Sequence, residues 1–267
     1  MARIGFAPHA DRPAVVEVAA ATAAWLEDEG HTAVVLPEVG PLPENRHRLS
    51  ELDLLVSLGG DGTMLRTVGM VIGTGVPVLG VNFGAFGYLT AAEPDGLRRA
   101  IERFLSGDYG ITRRMTLDAS IVAAGDTAPR FRATGLNDVV LARPSGTHTI
   151  KTSVAISGDR FLSYAADAMI VCTATGSTGY NLSARGPIVS PKLRCLVLTP
   201  VSPHMLFDRS VVLDSSDEVV FHLEGRSGAE LTVDGVPGAE VEVGERVVCR
   251  AGQDDAVLVS FGDRRGD

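Results

Sequence analysis

Lysine is nearly missing from this chain: Lys151 and Lys192 are its two lysines, and all other Lys/Arg positions are arginine. Neither follows a glycine, which excludes the lysine-bearing phosphate loop GxxxxGK[ST]. No GxGxxG spacing occurs either, so the dinucleotide fingerprint is excluded as well. Cysteine is scarce. Cys172, Cys195 and Cys249 are odd in number and widely spaced, and two lie in the apolar runs MIVCTA and RCLVLT. Buried, reduced thiols are the expectation. With no CxxC pair and no HExxH, a structural zinc or zincin site has no support, and no protein-ligated metal site is expected. No run approaches the ~18 apolar residues of a membrane span. Pro8 and Asp11 fall too early for a signal peptide, so a cytoplasmic protein is expected. Basic charge is in the minority, 24 Lys+Arg against 33 Asp+Glu, a net charge of −9. That acidity argues against nucleic-acid or membrane-surface binding, while leaving room for a local basic pocket around a small phosphorylated ligand.

What is present suits a folded, soluble chain: 267 residues, 45% apolar and 21% charged, long enough for two domains. Short apolar runs alternate with helical patterns over the first hundred residues. Strands are expected over 2–7, 32–36, 52–58 and 76–81. Asp11 is expected to cap a helix with Pro13 in its first turn, ending near Glu29 before Gly30. Residues 39–49 read as a loop, a helix opens near Thr63, and another covers 94–105. This alternation implies a parallel sheet with crossover helices. After Gly110 the texture turns to strands, expected over 116–123, 131–141, 149–157, 169–174, 193–199, 211–213, 218–223, 231–233 and 240–249, with a short helix near 181–184. The fold class is thus an α/β N-terminal domain with a parallel, Rossmann-like sheet and a GGDG loop, followed by a mostly β domain. The expected spans are 1–108 and 109–250.

The segment LDLLVSLGGDGTML, residues 52–65, carries the clearest chemistry. An apolar strand ends in glycines that let a ligand approach the backbone, and the helix start behind them favours phosphate. Asp61 sits in the middle of this anion-friendly turn. A carboxylate there either holds a magnesium ion or accepts a proton from an attacking hydroxyl. The plainer reading is a strand–helix turn in which Asp61 caps the helix.

GGDGTMLR, residues 59–66, resembles the nucleotide loop of NAD kinases, and the resemblance continues along the chain. It runs through VPVLGVNFGAFGYLT (76–90), GLNDVVLARPSGTH (135–148), DAMIVCTATGSTGYNLSARGPIV (167–189), LTPVSPHMLFDRSVVL (198–213) and VDG (233–235). GGDG alone is shared with lipid kinases and some phosphofructokinases; the ordered set of segments is the specific feature.

The resemblance implies phosphorylation of the adenosine-ribose 2′-hydroxyl of NAD, with ATP or polyphosphate as donor and Mg²⁺ or another divalent cation. The reaction would lie in a cleft between the two domains of a homodimer or homotetramer. It makes Asp61 the base and assigns Gly59, Gly60, Gly62, Thr63 and Arg66 to the nucleotide loop. Asn137 and Asp138 correspond to an Asn-Glu pair that grips ribose hydroxyls, here shortened by a methylene. His148 falls at a ligand-contacting position, and Asp167 at an aspartate that binds the dinucleotide. Ala165 stands where a basic residue is frequent, and Ala168 where glycine is usual. Thr175, Thr178, Gly179, Tyr180, Asn181, Leu182 and Ser183 form the densest expected contact cluster. Ala174 replaces a proline, Arg185 a small residue, and Val236 a common Gln. His204 and Arg209 either face the phosphates or make structural hydrogen bonds. Residues 251–267 are expected to complete the first domain, 256–261 returning to it. A lipid or sphingoid kinase sharing GGDG, and a non-catalytic NAD(P) sensor, are the alternatives.

Overall fold

The computed structural model describes residues 1–36, 46–84 and 87–262. Two compact units emerge: Met1–Arg113 with Asp255–Asp267, and Arg114–Asp254. The first opens with β1 (Arg3–Pro8), α1 (Pro13–Asp28), β2 (Thr32–Val35), the single turn α2 (Arg46–Leu49), β3 (Leu54–Gly59), α3 (Asp61–Val71), β4 (Val78–Asn82), α4 (Leu97–Leu105) and β5 (Gly110–Arg114). Every residue of β3 and β4 is buried. This is why those runs are continuously apolar: a parallel sheet covered on both faces has no solvent side. Helix α1 turns Val15, Ala19, Ala23 and Leu26 to the core, the spacing of one helical face.

The caps differ from the sequence expectation in two places. Arg12, not Asp11, occupies the cap of α1, and no side chain caps that helix end, because a guanidinium has no acceptor to offer its first N–H groups. Helix α3 begins at Asp61 rather than Thr63, with Gly60 as its cap. Of the expected loop over 39–49, residues 39–45 lie outside the described residues, and Arg46–Leu49 is helical.

The second unit runs through β6 (Leu117–Val122), β7 (Pro129–Gly135), β8 (Asp138–Ala142), β9 (Ile150–Ile156), β10 (Asp159–Ala166), β11 (Ala168–Thr173), a 3₁₀ turn (Thr175–Thr178) and α5 (Tyr180–Ser183). It continues with β12 (Cys195–Val201), β13 (Val211–Asp214), β14 (Glu218–Glu224), β15 (Ala229–Val233), β16 (Val236–Val241) and β17 (Arg246–Ala251). Strand β18 (Ala256–Ser260) then rejoins the first unit, pairing parallel with β4 in a sheet of order β2-β1-β3-β4-β18-β5.

Two six-stranded sheets make the second unit, β10-β9-β14-β17-β6-β7 and β13-β12-β11-β8-β15-β16. Their facing side chains form one core, with Leu117, Ile121, Val154 and Phe221 from the first and Leu141, Met169, Val171 and Leu231 from the second. The opposite face of β11 is also covered, since Ile170 and Cys172 pack with Ala174, Val189 and Val197. All three cysteines are free and buried, and burial pushes the Cys249 thiol up to about 12.

The expected single strand over 131–141 is two strands, and so is 240–249. In each case the chain leaves one sheet for the other: β7 and β17 belong to the first, β8 and β16 to the second. Strands β5 and β10 are additions to the sequence reading. Between β10 and β11 the chain again changes sheets, at Asp167, and between β7 and β8 it does so at Leu136 and Asn137. Two of the expected ligand-binding residues therefore stand at corners.

Candidate functional site

In the first unit the sheet order reverses between β1 and β3, since the chain goes from β1 outward to β2 and from β3 outward to β4. Ligands of open α/β sheets sit outside the strand ends at such a point. Gly59 and Gly60 leave β3 there. A Cβ on Gly59 would stand 2.2 Å from the Thr63 hydroxyl, so only glycine lets α3 start this close to the strand. The Thr63 side chain is correspondingly buried and props the turn, with its own carbonyl accepting the Thr67 hydroxyl at 2.8 Å. The Thr63 hydroxyl is packed against Gly59. Gly62 and Arg66 are exposed.

Asp61 does not cap its own helix. Its Oδ1 accepts the Leu89 N–H at 3.1 Å and its Oδ2 the Tyr88 N–H at 3.4 Å. The carboxylate is thereby aimed by a segment 28 residues further along the chain. Nearby, Phe83 donates its N–H to the Gly59 carbonyl at 2.9 Å, and Arg12 donates to the Phe83 carbonyl at 2.6 Å.

The second unit gathers Asn137, Asp138, Gly176 and Gly179. A Cβ on Gly179 would lie 3.6 Å from Asn137 Nδ2 and 3.7 Å from Asp138 Oδ2, so both polar groups converge on that backbone. Asn137 Oδ1 is buried without a hydrogen-bond partner. A buried amide oxygen left unpaired is costly and is explained where a ligand donor completes it. Asp138 is buried, and burial, followed by the charge of Asp234, pushes its carboxyl up to about 7.

The 175–189 segment is held from within. Thr173 Oγ1 donates to the Leu136 carbonyl at 2.7 Å and accepts the Gly176 N–H at 3.1 Å. Ser177 Oγ donates to the Ala174 carbonyl at 2.7 Å and accepts the Val189 N–H at 3.0 Å. Asn181 is fully buried: its Nδ2 donates to the Ser177 and Pro187 carbonyls, and its Oδ1 accepts the Thr199 hydroxyl at 2.7 Å. Both the amide nitrogen and the amide oxygen of Asn181 are thus engaged inside the loop. Thr175 is buried too, and Thr178 is half-buried. Tyr180, Leu182 and Ser183 are exposed. Arg185 takes the left-handed conformation, φ +64, where the resembled family has a small residue, and its side chain is exposed.

Asp167 Oδ1 accepts the Arg143 Nε at 2.8 Å, and Arg143 Nη1 also donates to the Thr147 carbonyl at 2.9 Å. Arg143 thus ties the corner at Asp167 to the loop carrying His148, which is exposed. Ala165 lies directly across β9 from Lys151, so a cation stands beside the position where the basic residue is missing. The Ala165 carbonyl accepts the His204 N–H at 2.7 Å. Arg209 is exposed and pairs with its neighbour Asp208 at 3.5 Å. Val236 opens β16 opposite Val233.

Asp234 and Arg143 escaped the sequence reading. Asp234 entered that reading within the VDG segment alone, with no role assigned, and nothing local signals where its carboxylate goes. Among the described residues no three His, Cys, Asp or Glu side chains converge as a metal cage.

Residues 44–109 match the ATP-NAD kinase N-terminal domain, and residues 136–261 the ATP-NAD kinase C-terminal domain. The NAD kinase of Heliobacterium modesticaldum is 40% identical over 271 residues, covering 99% of this chain and 95% of that protein. That of Geobacter sulfurreducens is 39% identical over 242 residues, covering 87% and 84%. Among solved structures, yeast NADH kinase complexed with NADH superposes with a TM-score of 0.89 at 22% identity, covering 99% of this chain and 84% of that one. An NAD kinase from Archaeoglobus fulgidus in complex with ATP gives 0.73 at 24% identity, covering 97% and 93%. At those identities the structural likeness establishes the fold alone.

Proposed function

We propose, from the premise that this chain belongs to the ATP-NAD kinase family, that it transfers the γ-phosphoryl group of ATP to the adenosine-ribose 2′-hydroxyl of NAD, giving NADP. The observation that carries the reading is the convergence of Asn137 and Asp138 on Gly179, with Asn137 Oδ1 buried and unpaired. A ribose diol supplies what this pair lacks: a hydroxyl donor for the amide oxygen and a second for the carboxylate.

Asp61 acts as the base in this reading. A hydroxyl becomes a good nucleophile only when its proton has somewhere to go, and a positioned carboxylate contributes about 10²–10⁴-fold. The Leu89 and Tyr88 N–H groups orient that carboxylate while leaving it lone pairs for the incoming proton. Gly59, Gly60 and Gly62 let donor phosphates approach the start of α3, and Arg66 on the same helix adds a positive charge. Tyr180 offers a flat exposed ring for the bases. A divalent cation, when bound, would neutralise the charge of the donor's phosphates. Asp167, held by Arg143, and His148 line the dinucleotide side; Lys151 takes over the charge missing at Ala165. The GGDG unit serves the phosphates and the β unit the dinucleotide, in a cytoplasmic homodimer or homotetramer. No helix among the described residues is long and apolar enough to cross a membrane.

The test is NADP formation from NAD, ATP and Mg²⁺ by the purified protein beside Asp61→Asn. Wild-type turnover is expected, with kcat lower by about 10²–10⁴-fold in the variant and the NAD KM retained. Equal kcat in both removes Asp61 from the chemistry; no NADP from the wild type with ATP or polyphosphate overturns the reading.

A further inference from the structure

Asp234 and Gly235 form the two-residue connection between β15 and β16, both in the left-handed region with φ +51 and +73. Two positive φ angles make the turn type that favours Asp-Gly, so the turn alone accounts for the residue types. It does not account for the carboxylate. Asp234 Oδ2 accepts the Leu136 N–H at 2.7 Å, and Oδ1 accepts the N–H groups of Asn137 at 2.7 Å and Asp138 at 3.1 Å. The Asp234 N–H in turn donates to the Asp138 carbonyl at 2.9 Å. Three consecutive amides of the corner where β7 gives way to β8 are thus gathered by one side chain nearly a hundred residues away. Gly135 permits the approach, for a Cβ there would stand 2.9 Å from Asp234 Oδ1 and 2.6 Å from the Val233 side chain.

A corner that changes sheets has no ladder partners for its N–H groups, and such groups must be satisfied when buried. Thr173 holds the Leu136 and Asn137 carbonyls from one side, but with water as acceptor the three N–H groups would have lost their fixed direction. The direction of the Asn137 and Asp138 side chains would have varied with it. We propose that Asp234 is a positioning residue of the nucleotide site: its carboxylate fixes the backbone of Leu136, Asn137 and Asp138, and thereby aims the Asn137 amide and the Asp138 carboxyl at Gly179. The assignment rests on the reading of Asn137 and Asp138 as the ribose grip.

The same carboxylate also acts through its charge. Three N–H donors favour the ionised form of Asp234, partly offsetting the upward push of its burial. Its negative charge adds to burial in holding the Asp138 proton. The other titratable group facing Asp138 is Cys172, its partner across β11, whose thiol is held neutral by burial first and by the Asp138 charge second. Among the described residues no arginine or lysine pairs with Asp138. Removing the charge at 234 therefore lets Asp138 ionise at lower pH.

Asp234→Asn and Asp234→Glu are compared with the wild type by steady-state kinetics from pH 5 to 8.5, with circular dichroism to establish folding. An Asn can keep two of the N–H groups on its oxygen and must face the third with its own NH₂. The expected result is an NAD KM raised about 10- to 100-fold in Asp234→Asn, the ATP KM unchanged. The acid limb of kcat/KM for NAD should move down by about one pH unit. Asp234→Glu keeps the charge and lengthens the arm, so its NAD KM rises while its acid limb stays. A purely structural role predicts a lower melting temperature with KM and acid limb untouched, and that result overturns the proposal. So does failure of both variants to fold. A wild type that makes no NADP overturns the function reading, and this assignment with it; an active wild type with unshifted variants overturns this assignment alone.

Discussion

The Cα of Gly176 lies directly on the carbonyl of Asn137: a Cβ built there would stand 2.1 Å from the carbonyl oxygen and 2.5 Å from its carbon. That oxygen already accepts the Thr173 N–H at 2.9 Å, so the 3₁₀ turn and the corner meet backbone on backbone. Neither can retreat as a flexible side chain would. Gly176→Ala is expected to cost about 2–3 kcal/mol in urea unfolding, and to raise the NAD KM because the displaced atoms belong to the residue that grips the ribose.

Gly62 is the opposite case. Nothing lies within 4 Å of a Cβ there, and the residue sits in the first turn of α3 with ordinary helical backbone. Gly62→Ala is expected to stabilise the fold by about 0.5–1 kcal/mol, since alanine loses less entropy in a helix. If donor phosphates approach that face, the same substitution raises the ATP KM. Denaturant unfolding and steady-state kinetics on one preparation separate the two effects.

Asp138 makes stability and binding depend on pH in opposite senses. Its folded value near 7 lies above the ~3.9 of an unperturbed aspartate. A carboxyl raised in this way favours the folded state fully below about pH 4, and that contribution is lost as pH climbs through about 7. The ribose contact, by contrast, uses the ionised carboxylate, so NAD affinity should fall as pH drops below 7. Asp138→Asn is expected to unfold at higher urea than the wild type at pH 8, with a smaller advantage at pH 5. It should bind NAD more weakly at both. Urea titrations and calorimetry at the two pH values test this.

Asn181 bonds the Ser177 and Pro187 carbonyls and the buried Thr199 hydroxyl with a single side chain. Asn181→Ala removes all three partners at once and is expected to cost about 3 kcal/mol of stability. Because the side chain has no polar atom to spare for a ligand, the NAD KM of the folded enzyme should change little. A large KM effect without loss of stability would return Asn181 to the ligand contacts.

Much of this was legible in the residues themselves. The apolar run at 52–58 announces a strand buried on both faces, and glycines followed by an amphipathic pattern announce the helix start behind it. The mostly β texture after Gly110 reads from its turn residues. The family reads from the order of its motifs. What local pattern cannot convey is which partner a polar side chain finds. The β-rich run 131–141 reads as one strand; only the packing reveals that the chain changes sheets at Leu136 and Asn137. Within TGSTGYNLS every residue but Leu182 is small or polar and looks equally suited to a ligand. Asn181 is buried where Thr199 from β12 meets it, while Tyr180 beside it is exposed. Asp61 is aimed by Leu89, and Asp234 grips amides 96 to 98 residues away. Periodicity reports burial over a few neighbouring positions, whereas hydrogen bonds of this kind join segments that only the folded chain brings within 3 Å. The sequence by itself therefore settled the fold class and the family, and the tertiary structure decided which partner each candidate polar residue finds, because only folding brings those distant segments together.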